Sequence, residues 1–256
     1  MDFLPVEITV EILIVACFIT VIAGFVKGAI GFAMPMIMIS GLASVVNSEM
    51  ALAALILPTV MTNAAQAFRQ GLRQGLQSAW RFRLYLGIVL VFILGSAQLV
   101  NVLPQNVMFL IIGIPVTLFS VTQIVGWQLR INPQHRKRAE IIIASVAGFT
   151  GGLSGVWGPP TVAYLTAIDT EKREQIRVQG VIYGAGAIVL MLAHIKSGVF
   201  NQSTASFSAV MLVPALIGML IGMKVQDRLD QAKFKTATLF VLAIAGMNLI
   251  RRAFLG

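Results

Sequence analysis

Few residues of this chain could do chemistry, and most of those that could are set in apolar sequence. Lys27 stands inside an apolar run. A basic residue there is costly and often functional, and it could attract an anion. Its stem is also long enough to let the charge snorkel to an interface. Asn63 and Gln66 are three apart, so they share one helix face, with Thr62 beside them and Arg69 a turn further on. Such a face could donate hydrogen bonds to an oxyanion, or could tie helices together. Gln179 and Tyr183, four apart, form a similar pair later in the chain. The Trp157 indole N–H could donate to an anion's oxygen, or the ring could anchor at an interface. His194, close to Lys196, could relay a proton near neutral pH or be a satisfied interface histidine. Gly152-Leu153-Ser154-Gly155 fits the G-x-S-G pattern of an intramembrane serine protease, with His194 on a later helix as base. Two histidines and one cysteine, far apart, make no metal set, and no cofactor is expected. Cys17 reads as a small packing residue. The acidic residues Glu49, Asp169 and Glu171 sit at segment edges, which gives no support to proton coupling through a buried carboxylate.

The strongest pattern is a cassette that occurs twice. Gly24 to Pro35 and Gly148 to Pro159 both read G-F-x-x-G-x-x-G-x-x-x-P, at a constant offset of 124. Ser154 corresponds to Ile30, so the glycines around it are accounted for without catalysis. A single glycine in an apolar helix most simply lets helices approach closely. Here the glycines lead into Pro35 and into Pro159-Pro160, which cannot continue a helix from the preceding turn. A helix broken inside a membrane presents free backbone N–H groups at the start of its second piece. With the helix dipole, these form an anion site that needs no basic side chain. Gly28, Gly31, Phe32 and Pro35 of one cassette, with Gly152, Ser154, Gly155, Trp157, Gly158, Pro159 and Thr161 of the other, are therefore expected to face each other across one substrate site. Carbonyls exposed at the same breaks could instead hold a cation.

The elements that must position these residues follow from composition. Of 256 residues, 57% are hydrophobic and only 11% charged, against about 25% charged in a soluble domain. Crossing the hydrocarbon takes roughly 20 apolar residues. Pro5 to Phe25, Met50 to Phe68, Leu84 to Val100, Val107 to Trp127, Val178 to Ile195, Ala205 to Met223 and Phe234 to Ile250 are such stretches. The start of the chain has no basic n-region and reads as a membrane helix. The expectation is an all-α, multi-pass membrane protein. The net charge of +9 gathers in short loops between apolar segments, which argues for membrane sidedness and against nucleic acid.

Weaker matches extend the repeat: Gly71 with Gly198 and Gly95 with Gly222. The halves are 1 to 127 and 128 to 256. Each is expected to hold a short broken-helix or re-entrant pair, with arms of 10 to 12 residues in the second half (139 to 150 and 159 to 168), and then three spanning helices. Equivalent loops differ in charge. Residues 69 to 83 carry four arginines, and their counterpart 196 to 206 has only Lys196. The loop 99 to 106 has no basic residue, while its counterpart has Lys224, Arg228, Lys233 and Lys235. The turn 43 to 49 has none, and its counterpart has Lys172, Arg173 and Arg177. The positive-inside rule then places 69 to 83, 128 to 138, 169 to 177 and 224 to 235 in the cytoplasm. The two halves point in opposite directions, an inverted repeat of the kind found in many secondary transporters. Arg251 and Arg252 fall on the outer side in this arrangement, and a parallel repeat of four crossings per half is the alternative.

The paired cassettes, the eight or so apolar segments and the basic central linker resemble the TauE/SafE sulfite exporter family, within the toluene sulfonate uptake permeases. The resemblance spans essentially the whole chain. It rests on Gly28, Gly31 and Pro35 in one half and Gly152, Gly155, Gly158 and Pro159 in the other. It implies a secondary transporter in a bacterial inner membrane, moving sulfite, sulfonates, sulfoacetate or related organic anions by alternating access. The partners implied are the small anion, a proton or sodium ion as coupling ion, and the bilayer; a homodimer is open. A passive anion channel is the competing reading, although aquaporin-like pores usually carry Asn at the break and these cassettes have none.

Overall fold

The computed structural model describes residues 8–96, 105–127, 130–154 and 157–255. Gly155 lies outside them, as do residues 1–7, the end of the stretch Leu84 to Val100 and most of the loop 99 to 106. Among the described residues there are eleven α-helices and no strand. They are α1 (Val10–Ile30), α2 (Met34–Leu42), α3 (Ser48–Phe68), α4 (Leu72–Arg81), α5 (Arg83–Ser96), α6 (Gln105–Ile124), α7 (Arg136–Ser154), α8 (Gly158–Ala167), α9 (Lys172–Ser197), α10 (Gln202–Arg228) and α11 (Gln231–Leu255). Five are long and apolar enough to cross a membrane; α4 with α5, bent by 75° at the junction, makes a sixth candidate.

Contacts divide the chain into two compact units, each drawing on both sequence halves. One comprises residues 1–69 and 183–229, the other 70–182 and 230–256.

In the first unit α1 lies along α10. A Cβ added at Gly24 would overlap the Ala215 carbonyl, and one at Gly28 the Met219 carbonyl. In return, Gly218 faces Val21 and Gly222 faces Phe25. Position numbers rise together along the two helices, so they run parallel at backbone contact, the packing that small-residue spacings permit. Pro58 interrupts α3 and deprives the Ala54 carbonyl of its helical donor. Ser208 of α10 replaces that donor: its hydroxyl donates to Ala54 O at 3.2 Å and accepts from Leu57 N at 3.1 Å. Such repair is what lets proline stand in a membrane helix.

The second unit repeats the pattern. A Cβ at Gly148 would lie 2.6 Å from the Val89 carbonyl of α5, and Gly152 faces Ile93 and Ser96. The cassette helix α7 is therefore parallel to α5. Helices α6 and α11 also meet closely, Gly113 against Gly246 and Ile250, and Gly246 against Thr117. There the numbers run in opposite senses, so the pair is antiparallel.

Three expectations change. The arm before the second break is 19 residues long, and α1 reaches Ile30, beyond Phe25. The glycines remain helical because each one facing a partner admits that partner's backbone, and the packing outweighs the propensity cost of about 1 kcal/mol per glycine. The segment 69 to 83 is also mostly helix and not loop.

The basic segments are joined to one another. In the second unit Arg81 pairs with Glu174 at 2.7 Å, Arg177 donates to Ser78 and Gln70, and Arg130 lies 3.8 Å from Asp169. The Gln231 side chain bonds both Thr170 and Lys172 main chain. In the first unit Arg69 pairs with Asp227 at 2.6 Å.

Candidate substrate site

The break in the first cassette is a backbone event. Gly31 caps α1 in the left-handed region, φ 93°, and its N–H returns to Lys27 O at 2.7 Å. Ala33, two residues on, also has positive φ, 74°. A Cβ-bearing residue pays strain there of order 1 kcal/mol or more. Helix α2 then starts with Met34-Pro35, and no side chain caps its N-terminus. The first N–H groups of an α-helix have no partner within it, and proline removes one of them. Side chains satisfy the freed carbonyls of α1: Gln66 Nε2 donates to Gly31 O at 3.1 Å, and Gln226 Nε2 to Gly28 O at 2.9 Å. Arg69 donates to Gln226 Oε1 at 2.7 Å. Gln66 thus ties helices together, the second of the two roles its position allowed. Gln226 went unnoticed in the sequence because only the fold brings it to the break.

Beside this break is Lys27. It is 2% exposed, so its amine does not snorkel to the surface. Its Nζ donates to Asn63 Oδ1 at 2.5 Å. Among the described residues no carboxylate lies within ion-pair distance of it. Asn63 is wholly buried, and its Nδ2 has no hydrogen-bond partner. A buried donor left unmade costs about 1–3 kcal/mol. The amine without a counter-charge among the described residues and the amide N–H₂ without an acceptor thus belong to the helices that flank a break whose second helix no side chain caps. Gly184, next to Tyr183, sits 3.5 Å (as a Cβ) from the Asn63 side chain. Tyr183 itself is buried, as is Phe32.

The second cassette is built differently. Trp157 occupies the helix start before Gly158-Pro159-Pro160, and its ring lies against Gly151. Thr161 is fully buried; its hydroxyl donates to Trp157 O at 2.9 Å and accepts from the Tyr85 hydroxyl at 3.0 Å. Tyr85 stacks on Tyr164 with ring centroids 5.2 Å apart. The helix α7 ends at Ser154, while Gly155 falls outside the described residues. Pro159 is buried, Gly158 and Gly152 half-buried. The tyrosine pair escaped the sequence reading, since neither residue belongs to a motif. Their only signal was two tyrosines, of three in the chain, in otherwise apolar stretches.

An all-helical, multi-pass architecture with helices broken at paired Gly-Pro cassettes is that of a membrane transporter. The family description "Sulfite exporter TauE/SafE" matches residues 16–249. The chain belongs to this family, which is one of transporters and not of enzymes. No curated protein and no solved structure matches it.

Proposed function

We propose that the chain is a secondary transporter of small sulfur-containing or organic anions, of the sulfite, sulfonate and sulfoacetate class, working by alternating access in a bacterial inner membrane. The observation that carries this is Lys27, a buried amine whose one acceptor among the described residues is the neutral Asn63 amide. Ionised side chains are almost never buried without a partner. An arriving anion supplies it, accepting from Lys27 and from the open Asn63 N–H₂. Phe32 and Tyr183, both buried, are the proposed contacts for the apolar part of an organic anion. At the second break, within its own unit, Trp157 and Thr161 are the candidate anion contacts, and Gly152 supports them through helix packing.

The inverted repeat belongs to the same proposal. Its support is the antiparallel contact between α6 and α11, the last helices of the two halves. The parallel pairs α1 with α10 and α5 with α7 agree with an odd number of crossings per half. Within each unit, the bonded basic segments are the candidates for the cytoplasmic side. A proton or sodium gradient would drive the cycle.

Flux in proteoliposomes tests the reading, with a panel of sulfite, sulfonates and carboxylates, each with and without a proton or sodium gradient. Gradient-accelerated flux of one or more sulfur oxyanions is expected. Flux of none of the panel sinks the proposal, and flux indifferent to every gradient makes the protein a passive anion pore.

A further inference from the structure

Helix α4 has no part in the substrate site, yet its surface is sharply divided. Gly75 and Ser78 are buried. On that side α4 is stitched down by Arg177, which donates to Ser78 at 2.7 Å and to Gln70, and by Arg81 on Glu174. Next to the buried face runs a stripe at spacing four: Leu72 (62% exposed), Leu76 (58%) and Trp80 (70%). Arg73 and Gln77 each follow a stripe residue by one, about 100° further round the helix, and both are exposed. Arg83, just beyond the helix, stacks its guanidinium 4.5 Å over the Trp80 ring and donates to Trp80 O. Residues 69 to 83 contain four arginines and no acid. Arg81 has its carboxylate, while Arg73 and Arg83 have none within ion-pair distance among the described residues.

The bend bears on how such a helix lies. Helix α5 continues from α4 into the apolar segment, and the two make an angle of 75°. If α5 runs near the membrane normal, α4 lies nearly flat. A flat helix with an apolar stripe, an indole and flanking arginines fits the acyl–headgroup boundary. Its charge selects among lipids, since each basic residue near the surface contributes about 1 kcal/mol toward an anionic leaflet.

The geometry points to α4 as a binding site for an anionic phospholipid: Leu72, Leu76 and Trp80 rest on the acyl chains, and Arg73 and Arg83 hold the headgroup phosphate. Because Ser78, Gln70 and Arg81 fasten the same helix to the segment around Glu174 and Arg177, the lipid also steadies that basic face.

The test uses the full-length protein in phosphatidylcholine vesicles. They are doped at one fixed mole fraction with either brominated phosphatidylglycerol or brominated phosphatidylcholine, carrying bromine at the same acyl position. The emission of W80F, subtracted from that of the unaltered protein, isolates Trp80. Brominated phosphatidylglycerol is expected to quench Trp80 at least about twofold more strongly than brominated phosphatidylcholine. The double substitution R73Q/R83Q should bring the ratio to about one, with R73Q alone falling between. Arg83 stacks on Trp80, so each variant is compared with its own W80F counterpart, and R73Q, which leaves that stack in place, must lower the ratio by itself. Equal quenching by the two lipids, no quenching of Trp80 by either, or a preference undiminished in both variants overturns the assignment. Quenching requires no transported anion, so this result and the flux result can fail separately.

Discussion

The two cassettes share five residues in register and differ in what fills the space beside them. In the first, Lys27 is the large side chain and Ala33 the small one. At the equivalent positions of the second, Gly151 is small and Trp157 large, and the indole lies against Gly151. Volume has been exchanged between two positions six residues apart, while the glycines that meet a neighbouring helix and the proline that starts the next one are kept. Duplication preserved the device that breaks a helix. The first break carries an amine, and the second an indole, that of Trp157, whose main-chain carbonyl accepts from Thr161, itself bonded by Tyr85. The two cassettes thus share a sequence pattern and differ in charge, and under the proposed function the charged break is the one that draws the anion.

The sharpest way to break this comparison is to remove the charge. Lys27→Met keeps an unbranched side chain one atom shorter, removes the amine and leaves Asn63 in place. It should lower anion flux on the order of 100-fold or more, the scale expected when one partner of a buried charge-assisted pair is lost. Asn63→Asp should do nearly as much for the opposite reason: an internal carboxylate would occupy Lys27 and exclude the anion. Initial rates in proteoliposomes, with protein content matched, give both numbers. If Asn63→Asp transports normally, the amide does not share the anion with Lys27.

The features the cassettes share should respond alike, and by less. Gly28→Ala pushes a methyl into the Met219 backbone, and Gly152→Ala pushes one into Ile93 and Ser96. Each should destabilise by about 1–3 kcal/mol, the usual cost of overpacking, read as a lowered midpoint in thermal unfolding of the purified protein. Gly184, whose added Cβ would only reach ordinary contact with Asn63 at 3.5 Å, serves as the control and should shift little. A large loss at Gly28 with none at Gly152 would mean that the two cassette helices are not packed by one rule.

Much of this was legible in the sequence, for identifiable reasons. Apolar run length located the long helices, and the Gly-Pro cassettes located both breaks, because those signals are local. The bonds that link the basic segments, Arg81–Glu174, Arg69–Asp227 and those of Gln231, were not legible, because each joins residues far apart in sequence. The extent of α1 and α7 was not legible. Whether Gly28 or Gly152 ends a helix or packs inside it depends on a partner helix more than 50 residues away. The same distance hid Gln226, which serves Gly28 O across 198 positions, and the Tyr85–Tyr164 stack. Lys27 could be seen, but its two readings differed only in burial, which no periodicity reports.

The central claim is that Lys27 binds the anion, and thermal unfolding of the purified protein with added ligand tests it most directly. A ligand that binds only the folded state raises the midpoint with its concentration. Sulfite or a sulfonate should raise the midpoint of the unaltered protein in a saturable way and leave that of Lys27→Met unmoved. The same rise in both proteins would contradict the account.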